Sequence, residues 1–124
     1  MRISHKEFED AVERALEMSP EMFRAQLNNM TIAVEDLPSR DLLREMDMPP
    51  GEKLFGVFTG VPLPERSVTE PPLYPDVILI FREPLMAACH SYEELEEEIA
   101  ITVVHELAHY LGLSEERLEE LGYG

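Results

Sequence analysis

Between Ser91 and Gly112 nothing interrupts a helix, and no other stretch constrains the fold of this chain as much. Ser91 and Glu94 form an S-x-x-E pair, in which a hydroxyl and a carboxylate satisfy free amides that open a helix. Leu95, Ile99, Val103, Leu107 and Tyr110 then recur at helical spacing and form one apolar stripe. Gly112 stands where the helix would stop, because only glycine takes a left-handed closing turn without steric cost. The stripe needs a partner, and a small sheet is the expected one. The carboxylates of Glu93, Glu94, Glu96, Glu97 and Glu98 crowd the first turns, where they favour the positive helix end and make a solvated face.

The rest of the chain supplies the elements for such a sheet. Ser4 and Glu7 repeat the capping pattern, and Phe8, Ala11, Val12, Ala15 and Leu16 continue it as an amphipathic helix over residues 4–18. Ser19-Pro20 is a second start signal, with Pro at the first helical position of a helix running to Leu27. Residues 31–34 read as a short strand. Residues 39–46 read as a short helix with Leu42, Leu43 and Met46 inward, ended by Pro49-Pro50-Gly51. Residues 54–59 suit a strand. Residues 77–81 are the clearest strand, and their continuous apolar run predicts burial on both faces. Residues 84–89 predict one helical turn, and Ser114 caps a final short helix through Leu118 and Leu121. Between the last two strands, residues 61–76 hold five prolines, too many for a tight hairpin; such a loop is either a rim over a cleft or a connector. The expected class is α+β, one domain over residues 1–124 with about three strands packed on helices.

Composition narrows the partners. The 124 residues carry a formal net charge of -16, which argues against a nucleic-acid or anionic-membrane partner. Such a field favours solubility first and attracts cations, a divalent metal among them. Cys89 is the single cysteine, so no intrachain disulfide forms, and a buried or half-buried thiol is expected. No signal-peptide pattern opens the chain and no segment is long and apolar enough to cross a membrane. The expectation is a cytoplasmic protein.

The chemistry lies inside the long helix. His105-Glu106-Leu107-Ala108-His109 reads H-E-x-x-H. Two imidazoles at i and i+4 leave one face of a helix and can reach one metal ion. Glu106 leaves at another angle and can face a metal-activated water as general base. A catalytic zinc takes three protein ligands, and the helix offers two. The turn at Gly112 swings the chain back, so Glu115 stands where it can close on the metal; Glu116 and Glu119 are alternatives. Two imidazoles and a carboxylate suit zinc, and also iron or manganese.

The full stretch, H-E-x-x-H-x-x-G-x-x-E over residues 105–115, resembles the zincin superfamily of metallopeptidases. It is most similar to the Asp-zincin branch, whose third ligand is acidic, with Glu here in place of Asp. The small size resembles the bacterial mini-zincins. Too few residues follow His109 for the gluzincin arrangement, and no Met follows His105, so the metzincin Met-turn is absent. The resemblance implies His105, His109 and Glu115 as metal ligands, Zn2+ as the ion, Glu106 as base and a peptide or protein as substrate. Many zincins add a Tyr or His donor at the oxyanion, and Tyr74, Tyr92, Tyr123 and His90 are the candidates. Two alternatives to a peptidase are a metal-binding or regulatory protein without turnover, and an interaction module held together by its metal. His5 is expected at the surface.

Overall fold

The computed structural model describes residues 1–49, 53–60 and 76–123. Tyr74 and nearly all of the proline-rich run lie outside them. The first helix, α1 (His5–Met18), opens with the expected reciprocal cap: Ser4 Oγ accepts from the Glu7 amide and Glu7 accepts from the Ser4 amide. It buries Phe8, Ala11, Val12 and Ala15. Helix α2 (Glu21–Asn28) corrects the expected start. Ser19 does not cap it; its buried hydroxyl donates back to the Ala15 carbonyl at 3.1 Å and closes α1. Pro20 is then the cap, outside the helix, and its carbonyl accepts from Phe23 and Arg24.

Strand β1 (Thr31–Glu35) leads to α3 (Arg40–Glu45), capped by Ser39. Met46, expected inward, is 40% exposed, because the helix has already ended there and Asp47 turns the chain at φ 53°. Strand β2 (Gly56–Thr59) is shorter than the expected 54–59, although the Phe55 carbonyl still accepts from the Phe81 amide. Strand β3 (Val77–Phe81) runs directly into α4 (Arg82–Ala88), a seven-residue helix where a single turn was expected. Pro84 sits in its first turn, where a missing N–H costs nothing. The long α5 (Tyr92–Leu111) and short α6 (Glu115–Leu121) complete the chain, both with the predicted serine caps. Glu94 reaches the His90 amide at 3.4 Å rather than that of Ser91.

The sheet order is β1-β3-β2, with β1 parallel and β2 antiparallel to the central β3. Helix α5 packs against α1 on one side and against β2 and β3 on the other. Leu95, Ile99, Val103 and Leu107 are fully buried there with Phe8, Ile78 and Ile80. Burial on β3 alternates: Ile78 and Ile80 are sealed under the helices, while Val77 and Leu79 are half-buried. The continuous apolar run therefore overstated how far its second face is covered. Asp36, Arg82 and His5 tie β1, α4 and α1 together, with Arg82 Nε at 2.9 Å and His5 Nε2 at 3.1 Å from one Asp36 oxygen. His5 is at the surface as expected, and Cys89 is buried. Among the described residues, no helix is long and apolar enough to cross a membrane. The result is a small α+β fold with α5 wedged between α1 and the sheet.

Candidate metal centre

The candidate site sits on the last two turns of α5 and the first residue of α6. Gly112 adopts φ 76°, ψ 23°. The Leu113 amide donates to the Ala108 carbonyl at 2.9 Å and the Gly112 amide to that of His109 at 3.2 Å. These two bonds satisfy carbonyls that the helix end leaves open. Two residues later Ser114 caps α6, its Oγ accepting from the Arg117 amide. The reversal brings Glu115 back over the face that carries His105 and His109.

The three side chains meet. Glu115 Oε1 lies 3.5 Å from His105 Nε2 and 3.6 Å from His109 Nε2. The imidazole centroids are 4.7 Å apart and the rings are inclined by 72°. One ligand atom from each of the three residues lies within 4.8 Å of the others. Bonds of about 2.0–2.1 Å at tetrahedral angles separate ligand atoms by roughly 3.3 Å, so the donor set fits a four-coordinate ion with small adjustments. Glu116 and Glu119 are exposed on α6 and make no contact with either imidazole among the described residues.

Glu106 points elsewhere, as its place in the motif predicts, and is only 7% exposed. Its Oε1 accepts from the Phe58 backbone amide at 2.8 Å and lies 3.4 Å from His109 Nδ1. If His109 offers its Nε2 lone pair to a metal, the ring proton must sit on Nδ1, on the Glu106 side. Chiefly Glu106, then Glu115, hold the metal-free His109 imidazole above its ordinary value, against the opposing effect of burial. A metal at Nε2 has to displace the second proton of the imidazolium, so binding favours higher pH.

The oxyanion candidates are scattered. Tyr92 and His90 stand at the opposite end of α5, about 20 Å or more from His105 at 1.5 Å per residue. Tyr92 donates to Glu7 at 2.6 Å. Tyr123 packs edge-on against Phe23 at 6.4 Å. Tyr74 is outside the described residues. The residue that pattern reading missed is Phe58, because a backbone amide has no signature in a sequence. The nearest signal was Gly56 two positions earlier, since a glycine inside a strand often marks a close approach.

The profile of the zincin-like metallopeptidases matches residues 27–124. The chain belongs to the zincin-like metallopeptidase family. The match runs from the end of α2 to the C-terminus and so takes in the sheet, α5 and α6. A comparison with curated proteins finds no match. Membership carries metallopeptidase chemistry and a zinc cofactor at the level of the family, and the donor set of His105, His109 and Glu115 is of a kind that could hold that ion.

Proposed function

We propose that this protein is a minimal zinc-dependent peptidase of the acidic-third-ligand kind, in which His105, His109 and Glu115 hold the metal and Glu106 is the general base. The observation that carries this reading is the convergence of Glu115 Oε1 on both Nε2 atoms, at 3.5 and 3.6 Å, across the left-handed turn at Gly112. When bound, zinc supplies a Lewis acid for the peptide carbonyl and lowers the pKa of its water to about 7. Glu106 takes the proton of the attacking water and passes it to the departing amine. Its burial keeps the carboxylate on one rotamer and its anchor to β2 keeps it beside the imidazoles.

The substrate in this reading is a short extended peptide. Strand β2 is an edge of the sheet, so the outward polar groups that it does not commit to Glu106 can take a peptide as a further strand. It is only four residues long, which favours a small or flexible substrate over a long one. The deciding experiment is cleavage of a peptide library by the zinc-loaded protein and by Glu106→Gln. The expected result is turnover in wild type, and full metal content without turnover in the variant. Equal turnover in both would reject Glu106 as base, and tight zinc binding without any cleavage would favour a metal-binding regulatory role.

A further inference from the structure

We infer that the backbone amide of Phe58 positions Glu106 for proton transfer, committing one carboxylate oxygen to the sheet and leaving the other for the reacting water. The inference rests on Glu106 being the base. In the antiparallel pair of β2 and β3, bonded and non-bonded residue pairs alternate. The Phe81 amide donates to the Phe55 carbonyl, so with Gly56 opposite Ile80 and Phe58 opposite Ile78, Gly56 and Phe58 turn their polar groups to the outer edge. The Phe58 N–H is therefore an edge donor that the sheet does not use, and Glu106 Oε1 accepts it at 2.8 Å.

The spacing of helix and strand makes this contact recur in register. Thr102 and Glu106 lie one turn apart, about 6 Å along α5. Gly56 and Phe58 lie two residues apart, about 6.8 Å along β2. Gly56 meets Thr102 so closely that a Cβ would stand 2.6 Å from Thr102 Cγ2. Phe58 meets Glu106 through its amide, and its ring packs on Tyr110, one further turn along α5, at 5.5 Å between centroids. The missing side chain at Gly56 sets the approach, and the aromatic pair locks the strand beyond it. A donor on a charged acceptor is shorter and stronger than a neutral hydrogen bond. Glu106 Oε1 also faces His109 Nδ1 at 3.4 Å, while Oε2 has no partner among the described residues. The two oxygens are thereby distinguished before substrate arrives.

The test uses the full chain, zinc-loaded and metal-free. Amide hydrogen exchange of Phe58 is compared in wild type, Glu106→Gln and Glu106→Ala. Gln keeps an acceptor oxygen, so protection is expected to persist; Ala is expected to speed exchange of Phe58 roughly tenfold, with Val57 unchanged as the internal control. Exchange at Phe58 that is the same in wild type and Glu106→Ala overturns the inference. A second arm replaces Phe58 by its hydroxy-acid analogue, phenyllactic acid, which removes the N–H and keeps the ring. Expected is a tenfold to hundredfold loss in kcat, roughly that of one charged hydrogen bond, at unchanged KM and zinc content. Unchanged kcat also overturns it. If wild type cleaves no peptide, the peptidase reading has failed; the exchange arm then still supports or overturns the anchoring of Glu106 by itself.

Discussion

Gly112→Ala tests whether the left-handed turn delivers Glu115 to the imidazoles. Gly112 stands at φ 76°, where a residue with a Cβ costs about 1–2 kcal/mol more than glycine. Glu115 can lie at 3.5 and 3.6 Å from the two imidazoles only while that turn is formed. The zinc-loaded protein must therefore carry the whole penalty. The metal-free protein can escape part of it by opening the turn, and whatever it escapes reappears as weaker zinc binding, up to about 5- to 30-fold. Gly122 is the control: it caps α6 in the same way at φ 87°, and an added Cβ there meets nothing within 4 Å. Gly122→Ala should have a similar or smaller effect on stability and leave zinc affinity untouched. Gly112→Asn should recover much of the loss, because Asn tolerates the left-handed region. The assay is thermal unfolding with and without zinc, with affinity from competition against a chelator of known strength. A shift of roughly 4–8 °C in the zinc-loaded Gly112→Ala protein is expected. A zinc-loaded variant as stable as wild type would refute the reasoning.

Three further outcomes follow from packing and charge. Gly56→Ala places a Cβ 2.6 Å from Thr102 Cγ2 and 2.8 Å from the Leu79 backbone oxygen; overpacking of this kind costs about 1–3 kcal/mol, readable in urea unfolding, and an unchanged midpoint would contradict the tight seating of β2 on α5. Phe8→Ala should cost about 3–5 kcal/mol, because Phe8 is fully buried in the core although α1 precedes the matched residues 27–124; a loss below about 1 kcal/mol would make α1 peripheral. Hydrogen bonds from Arg82 first and His5 second hold the Asp36 carboxyl below its ordinary value. Its folded pKa is lower than its unfolded one, so its contribution to stability is present above about pH 4 and is lost as pH falls through the folded value. Arg82→Leu should raise the Asp36 pKa in an NMR titration, and an unmoved value would remove the clasp from the account.

What could be read in the residues divides by range. Caps are local, so Ser4 with Glu7, Ser91 and Ser114 all open the helices they predicted. The turn at Gly112 was legible for the same reason. Ser19 was misread because its hydroxyl can serve either side of a helix boundary, and the carbonyl of Ala15 behind it was the partner it found. Burial on β3 depended on how many helices cover each face of the sheet, which no window of five residues contains. The meeting of His105 and His109 followed from helical periodicity. The approach of Glu115 needed the backbone course through Leu113 and Ser114, and the bond from Phe58 to Glu106 spans 48 positions. Long-range pairing through the main chain leaves no mark on residue identity, and that is where the pattern reading stopped.

The central claim is that His105, His109 and Glu115 hold one metal ion, and the most direct measurement is metal content by mass spectrometry. Wild type, His105→Ala and Glu115→Ala are purified without chelators or a metal affinity column, then supplied with zinc and desalted. The account predicts close to one zinc per chain in wild type and its loss in both variants. Zinc retained in Glu115→Ala would move the third ligand elsewhere, and a wild type that takes up no zinc would contradict the account.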